Sequence, residues 1–315
     1  MISKQMQQEV AGSSAIRAMF LEGKELAKRI GAENVYDFSL GNPMTPVPQQ
    51  YNQAIIEAVQ TENSLELHGY MDNAGYPETR RAVAGHLNQR FGTEFEERHI
   101  VMTVGAAGAL NVVFKTILDP GDEVLALAPY FGEYRGYTAN HQGILREVKP
   151  DTDTFQPDLE DLKAKITPET KGIIINNPVN PTGVVYSEDT IQKIAAVLEE
   201  KQKEYGHEIY LVSDEPYREL VYDGNTVPFL TKYYDNTFVT YSFSKSLSIP
   251  GERIGYIAVS PQMADCDQAI QGLSVANRIL GFVNAPSLMQ KALITSLDAR
   301  TDVDYYDRNR KLIYG

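Results

Sequence analysis

The segment SFSKS at residues 242–246 contains the residue types that imine chemistry requires. An amine attacks a carbonyl group only in its neutral form, and a lysine at a partly desolvated strand end near another cation has a lowered pKa. Lys245 is therefore the candidate nucleophile, and Ser242, Ser244 and Arg253 could hold a phosphate nearby. Since most lysines are solvated surface residues, Lys245 needs support from other parts of the chain.

Asp214 stands in the string Ser-Asp-Glu-Pro-Tyr at residues 213–217, directly after the apolar run 209–212. A carboxylate at the end of a buried strand is unfavourable unless a cation or a proton donor faces it. A protonated pyridine ring is one such cation. The alternative is that Asp214 caps the next segment, which is a common use of aspartate.

The string GAAGAL begins at Gly105, just after the predicted strand that ends at Val104. Small side chains let the backbone approach a ligand closely, and the N–H groups at a helix N-terminus bind phosphate. The string lacks the Gly-Lys-Ser/Thr of a Walker loop and the third glycine of a dinucleotide fingerprint. An ordinary strand-to-helix turn is the alternative.

Two further segments offer groups for a flat, polar ligand. Phe131 follows the predicted strand that ends at Ala128 and could stack on a heterocycle, although an aromatic residue there is more often part of the core. The string NNPVNPTG at residues 176–183 contains two Asn-Pro steps, which hold the backbone extended and turning, and it presents the amide of Asn180. A surface turn is the alternative for this string.

Seven short β-rich runs, separated by segments of helical length, position these residues. The runs are Ile100–Val104, Glu123–Ala128, Ile144–Val148, Gly172–Asn176, Glu208–Ser213, Thr237–Tyr241 and Ile254–Ser260. Strands joined in this way form a mostly parallel α/β sheet with helices on both faces, and ligands bind beyond the carboxyl ends of its strands. Because each of the five segments above follows one of these runs, we predict that they share one ligand.

Outside the sheet, the sequence predicts two further helices and a loop. Ser13 and Ser14 precede an amphipathic helix that extends to Ile30. Pro77 opens a helix that ends near Gly92. The passage 41–48 is too rich in glycine and proline for regular structure, and it predicts a hinge or an active-site loop.

The 315 residues are 43% hydrophobic and 23% charged, proportions that are typical of a globular protein. A net charge of -13 argues against nucleic acid as a partner. The single cysteine, Cys266, fits a reducing compartment, and neither a signal peptide nor a run of about 20 apolar residues is found. We therefore expect a cytoplasmic protein that does not enter a membrane. No metal site is predicted, because no ligand spacing is found among the five histidines His68, His86, His99, His141 and His207.

These motifs, in this order, resemble the aspartate aminotransferase family, the class I/II aminotransferases of pyridoxal-phosphate (PLP) fold-type I. The resemblance extends from about Ser39 to Pro286 and rests on Asn-Pro-Thr-Gly, Ser-Asp-Glu-Pro-Tyr, and Ser-x-Ser-Lys with the later Gly-x-Arg. It implies a large PLP-binding domain at residues 46–287. Residues 1–45 and 288–315 would belong to an incomplete small domain.

The resemblance also implies a role for each site residue. Lys245 would hold the cofactor as a Schiff base and then carry the proton, and Asp214 would keep the pyridine nitrogen protonated. Tyr217 and Asn180 would hydrogen-bond the phenolic oxygen, and Phe131 would cover the ring where many relatives carry tryptophan. The phosphate would be held by the turn at Gly105, Ala106 and Ala107 together with Ser242, Ser244 and Arg253.

Three more residues are implied to contact the cofactor or the substrate. Tyr70 stands five residues before Gly75, as does the family tyrosine that reaches the phosphate of the other subunit, so the resemblance implies a homodimer. Gly41 matches the glycine that approaches the substrate carboxylate. Arg278 lies near the position where aspartate-specific relatives place an arginine for the distal carboxylate, donated across the dimer. A surface arginine is the alternative for Arg278.

Relatives continue for several tens of residues beyond position 315 and supply there the arginine that binds the substrate α-carboxylate. This sequence ends within a predicted helix that begins near Tyr305, and it resembles a C-terminally truncated form. On that expectation, cofactor binding is better supported than turnover.

The predicted activity is transamination between an α-amino acid, with aspartate as the first candidate, and an α-keto acid such as 2-oxoglutarate. PLP supplies the carbanion chemistry, and the protein supplies position and electrostatics. A lyase or decarboxylase on the same fold is one alternative, which the release of ammonia or carbon dioxide would reveal. A PLP-binding chain without turnover, or a ligand-binding module, is another.

Overall fold

The computed structural model describes residues 2–12, 14–36 and 41–314, and the chain divides into two units, residues 1–44 and 45–315. The first unit contains helices α1 (Lys4–Gly12) and α2 (Ser14–Ile30) and a short 3-10 turn at Ala32–Asn34. Helix α2 is the predicted amphipathic helix and begins at Ser14. Ser13, the other predicted cap, and Ser39, where the family resemblance begins, lie outside the described residues.

The described part of the second unit contains a seven-stranded sheet with the order β1-β7-β6-β5-β4-β2-β3. Strand β7 is antiparallel to both of its neighbours, β1 and β6, and the other pairs are parallel. The predicted mostly parallel α/β sheet is confirmed, and each predicted run ends within two residues of the observed strand. The strands are β1 Ile100–Thr103, β2 Glu123–Leu127, β3 Ile144–Val148, β4 Thr170–Asn176, β5 Tyr210–Asp214, β6 Thr237–Ser242 and β7 Gly255–Val259.

Helices connect and cover these strands. They are α3 Gln49–Thr61, α4 Ser64–Leu67, α5 Pro77–Phe91, α6 Gly105–Ile117, α7 Tyr134–Ala139, α8 Leu159–Lys165, α9 Glu188–Tyr205, α10 Phe243–Ser246, α11 Cys266–Ile279, α12 Ser287–Ile294 and α13 Val303–Tyr314. Helix α5 begins at Pro77 and ends at Phe91, next to Gly92 as predicted. The fixed φ of proline suits a first turn, and glycine readily adopts the left-handed φ of 66° found at residue 92. Among the described residues, no helix is both long and apolar enough to cross a membrane.

The core lies on both faces of the sheet. Successive side chains of a strand point to opposite faces. In β4, Ile174 packs in one hydrophobic cluster, which includes residues of α6 and α11. Its neighbours Ile173 and Ile175 pack in another, which includes residues of α8 and α9. The continuous apolar run of β4 therefore reflects burial on both sides, as its sequence pattern predicted.

The direction of the strands decides which segments meet. Strands β1, β2, β4, β5 and β6 run the same way, so their carboxyl ends lie at one edge of the sheet. Because β7 is antiparallel, its beginning lies at that same edge. Arg253, two residues before β7, thereby comes to the edge where β6 ends and Lys245 follows.

Candidate active site

A cleft of about 340 Å³ opens at the carboxyl edge of the sheet. It brings together six of the predicted site residues: Ala106, Ala107, Phe131, Asn180, Asp214 and Tyr217. The rest of its lining consists of Leu110, Tyr137, Asn176 and Pro216. A second crevice, which Arg90, Glu219 and Tyr241 help to line, includes none of the predicted site residues. The predicted chemistry therefore belongs to the cleft at the carboxyl edge of the sheet.

Asp214 is the last residue of β5 and is only 4% exposed. Its Oδ2 accepts a hydrogen bond of 2.5 Å from the hydroxyl of Tyr134, and its Oδ1 is 3.5 Å from the hydroxyl of Thr240. Burial raises the pKa of Asp214 to about 6; the Tyr134 and Thr240 bonds work against the rise, and the charge of Glu215 adds to it. Asp214 does not cap a helix, and the ion pairs of the described residues do not include it. A cation in the cleft would favour its charged form.

A chain of hydrogen bonds connects the Asn-Pro loop to the end of β5. The side-chain amide of Asn180 donates to the hydroxyl of Tyr217 at 3.0 Å, and its backbone N–H donates to Oδ1 of Asn176 at 2.6 Å. The amide of Asn176 in turn donates to the carbonyl oxygen of Asp214 at 2.8 Å. Burial and the charge of Asp214 raise the pKa of Tyr217, so its phenol stays neutral. A hydroxyl and an amide are thus held side by side in the cleft lining.

Lys245 lies in α10, the short helix that starts directly after β6. Thr240 of β6 is in register with Asp214 of β5, so Lys245 follows the strand that neighbours the carboxylate. Lys245 is partly buried, and desolvation lowers its pKa, as neutral-amine chemistry requires. It does not belong to the lining of the 340 Å³ cleft. Its place at the edge follows from the strand order.

The beginnings of α6, α10 and β7 form a corner whose groups are suited to bind an anion. Helix α6 starts directly after Val104, and no side chain caps its first N–H groups. A Cβ on Gly105 would lie 3.1 Å from Nη2 of Arg253, so the guanidinium lies against the start of this helix. The hydroxyls of Ser242 and Ser244 are 2.6 Å apart. Backbone N–H groups, two hydroxyls and a guanidinium are suitable ligands for a phosphate.

These residues fit pyridoxal phosphate. The buried Asp214 accommodates a protonated ring nitrogen, and Phe131 at the wall of the cleft can cover a flat ring. Tyr217 and Asn180 match a ring oxygen, and the corner beside Gly105 matches the phosphate.

Three further predicted residues are not part of the cleft lining. Tyr70 is 92% exposed, and Arg278 is exposed at the end of α11; neither lines the cleft. Gly41 belongs to the first unit, residues 1–44. The roles proposed for these three residues therefore stay predictions.

Sequence reasoning did not assign a role to Tyr134, Tyr137 or Asn176. Asn176 could have been recognised as the last residue of a buried strand next to β5. Tyr134 stands three residues after Phe131, but its contact with Asp214 joins positions 80 residues apart and has no local signal. Tyr137 lines the cleft, and burial raises its pKa to about 12.

The fold and this cleft define a cofactor-binding α/β protein, and comparisons identify its family. The family model for aminotransferase class I and II matches residues 33–314, and the chain belongs to this family. Members of the family use pyridoxal phosphate. The cofactor that the motifs predict is therefore the cofactor of the family, and the residues of the cleft fit it.

Individual relatives support the same assignment. A protein of Aquifex aeolicus, named as a probable aspartate/prephenate aminotransferase, is 35% identical over 81% of this chain, which spans 63% of that protein. An aminotransferase from Eubacterium rectale, solved as a crystal structure, is 47% identical and covers 100% of this chain and 79% of its own, with a TM-score of 0.95. Aspartate aminotransferase from Thermus thermophilus, solved with maleate, is 27% identical over 96% of this chain and 72% of its own, with a TM-score of 0.78.

Proposed function

We propose that this protein transfers amino groups between an α-amino acid and an α-keto acid with pyridoxal phosphate as cofactor. One relationship carries the proposal: Lys245, whose pKa is lowered by burial, follows the strand next to Asp214, whose pKa burial raises to about 6. A readily deprotonated amine and a buried carboxylate at adjacent strand ends suit a ligand that presents a carbonyl group and a protonatable ring.

The cofactor, when bound, supplies an electron sink for the charge that develops at the substrate Cα. Asp214 holds a proton on the ring nitrogen, and its own bond to Tyr134 keeps the carboxylate oriented. Nζ of Lys245 moves the proton at the substrate Cα. The side chains of Tyr217, Asn180 and Phe131 orient the cofactor ring. The phosphate is held by the side chains of Ser242, Ser244 and Arg253 together with the backbone at Gly105, Ala106 and Ala107.

Aspartate and 2-oxoglutarate are the first substrates to test. The Aquifex relative is named for aspartate and prephenate, and the Thermus structure contains maleate, a dicarboxylate. Arg278 is exposed at the end of α11, where a second subunit could use it for a distal carboxylate. Gly41 and Asn180 are proposed at the α-carboxylate.

The assembly is also part of the proposal. Tyr70 is 92% exposed, as expected of a side chain that acts in a neighbouring subunit, so we propose a homodimer with shared active sites. We also propose a large domain at residues 46–287, with small-domain segments at residues 1–45 and 288–315. The proposed location is the cytoplasm. The single cysteine is consistent with a reducing compartment.

The test is visible absorbance of the purified chain after incubation with pyridoxal phosphate and dialysis, followed by addition of aspartate. We expect a covalently retained cofactor in the wild type and in the surface control Lys193→Ala, and none in Lys245→Ala. Aspartate should yield keto acid and pyridoxamine phosphate. Retention in Lys245→Ala would refute the lysine assignment.

Product analysis separates the alternatives. Ammonia or carbon dioxide in place of pyridoxamine phosphate would favour a lyase or decarboxylase. A retained cofactor without any product, from a panel of amino acids, would favour a binding role.

A further inference from the structure

The loop that carries Tyr70 is fixed at both ends. The hydroxyl of Tyr76 donates to the carbonyl oxygen of Glu66 at 2.7 Å, which closes the loop around Tyr70. The backbone N–H of Tyr76 donates to Oε1 of Gln290 at 2.9 Å. Gln290 is fully buried. An exposed tyrosine therefore stands on a loop that is held from inside the protein.

Gln290 also holds a second segment. Its Nε2 donates to the carbonyl oxygen of Ala285 at 2.9 Å. Gly75 makes this close approach possible, since a Cβ there would lie 2.5 Å from Oε1 of Gln290. One buried amide thus joins the loop after Tyr70 to the chain that leads from α11 to α12.

Two further amides, those of Asn73 and Asn277, join the same two segments. The side chain of Asn277, fully buried, donates to the carbonyl oxygen of Asn73 at 2.7 Å, and the amide of Asn73 donates to the carbonyl oxygen of Val283 at 2.7 Å. Val283 N–H donates to the carbonyl oxygen of Asn277 at 3.1 Å. Arg278, the next residue, is exposed.

The backbone at Val283 indicates how firmly this turn is held. Its φ is 66°, a left-handed conformation that a β-branched side chain rarely adopts. Such a conformation persists only where the surrounding contacts impose it, and it is often found where function needs a defined geometry. Here both polar backbone groups of Val283 are hydrogen-bonded to buried or partly buried asparagines.

We propose that Asn277 and Gln290 are positioning residues that hold Tyr70 and Arg278 on one rigid support. We name this support the amide platform: Asn73, Asn277, Val283 and Gln290. Through it, each subunit presents both exposed side chains to the active site of its partner. The inference deepens the proposed function, because it rests on the homodimer with shared sites.

Hybrid dimers test whether the platform acts across subunits. In the first hybrid, one chain carries Lys245→Ala and Asn277→Leu together and the partner is unaltered. The only site with Lys245 then receives Tyr70 and Arg278 from the damaged platform. We expect kcat/KM for aspartate to fall at least about tenfold, and the cofactor to leave that site faster. The reference is a dimer of one Lys245→Ala chain and one unaltered chain.

The second hybrid carries Lys245→Ala on one chain and Asn277→Leu on the other. Its only site with Lys245 lies in the altered chain but receives Tyr70 and Arg278 from an intact platform, so we expect activity within about twofold of the reference. The same two arrangements with Asn236→Leu are the control. That substitution removes a partly buried amide hydrogen bond from Asn236 to Gln202, 2.9 Å long, elsewhere in the fold.

A loss confined to the second hybrid would overturn the inference, because the amides would then act only within their own chain. Equal losses in both arrangements would overturn it as well, because the effect would then be a general loss of stability, and no loss in either would mean that the amides position neither side chain. If Asn277→Leu does not fold, Asn73→Ala at a half-buried position replaces it. A monomeric chain in sedimentation would also overturn the platform while leaving the cofactor chemistry intact. If the reference dimer holds the cofactor but transfers no amino group, the proposed function fails, and cofactor release rates still decide the platform.

Discussion

The hydroxyl of Tyr134 donates a 2.5 Å hydrogen bond to Asp214, and both side chains are buried. Burial raises the pKa of Asp214 to about 6, and this bond works against the rise. Burial and the neighbouring carboxylate raise the pKa of Tyr134 well above its usual value, so Tyr134 is a permanent donor. Tyr134 therefore favours the charged carboxylate that a protonated cofactor ring requires.

Tyr134→Phe removes this donor with little change of volume. A hydrogen bond to a charged group contributes about 1.5–3 kcal/mol, so we expect cofactor affinity and kcat to fall by about 10–100-fold. Equilibrium dialysis with pyridoxal phosphate and steady-state kinetics measure both. Tyr234→Phe is the matched control, since the buried hydroxyl of Tyr234 also donates a short hydrogen bond, 2.6 Å long, but to the carbonyl oxygen of Ile209. Equal effects of the two variants would exclude a specific role for Tyr134.

Asp214 should make the cofactor-free protein less stable as the pH rises. Its pKa is about 6 in the folded protein against 3.8 in a model peptide, so between these values the folded state holds a proton that the unfolded chain releases. The free energy of unfolding, relative to Asp214→Asn, should therefore fall by about 2–2.5 kcal/mol from pH 4 to pH 7. Urea unfolding of both proteins at the two pH values measures this. Parallel pH profiles would contradict it.

Gly105→Ala should weaken phosphate binding. Gly105 has a φ of 74°, and an added Cβ would meet the guanidinium of Arg253 at 3.1 Å. We expect a loss of about 1–2 kcal/mol in stability and weaker binding of inorganic phosphate as well as of the cofactor. Gly85→Ala is the control with the opposite expected sign. Gly85 lies in the interior of α5, and an added Cβ would meet no atom within 4 Å apart from the neighbouring backbone of its own helix, so this substitution should stabilise the protein by about 0.5–1 kcal/mol. Unchanged phosphate affinity in Gly105→Ala would argue against the anion-binding corner.

Glu219→Gln should lower the free energy of unfolding. Glu219 is nearly buried. It accepts two hydrogen bonds of 2.6 Å from Arg90 and one of 3.2 Å from Tyr241. Although burial disfavours its charge, Arg90 keeps the pKa of Glu219 below its usual value. Removing one partner of a buried pair costs about 3–5 kcal/mol, and we expect about 2–4 here because Arg90 keeps some solvent contact. Glu200→Gln, in an exposed pair with Lys163, should leave the free energy of unfolding almost unchanged.

Much of the site followed from local patterns. Runs that are apolar on both faces identified strands covered by helices, and the residue after each strand identified the edge. Asp214, Asn180 and the Gly105 turn could be placed at that edge, because parallel strands bring their carboxyl ends together. The beginning of β7 comes to the same edge because this strand is antiparallel, a direction that its sequence does not reveal.

Contacts between distant positions could not be read from the chain. Tyr134 reaches Asp214 across 80 positions, and Gln290 reaches Tyr76 across 214. The sequence around Tyr134 or Gln290 does not indicate these contacts, because a buried tyrosine or glutamine has no local pattern that identifies its hydrogen-bond partner.

The order of residues along the chain was sufficient to predict the chemistry: an amine, a carboxylate and a turn suited to an anion, each placed after a strand. Folding added the electrostatics. The pKa values of Lys245 and Asp214 depend on how much water each loses and on which donors face it, and packing in three dimensions sets both. The amide platform likewise exists only in the folded chain, because its hydrogen bonds join segments about 200 residues apart.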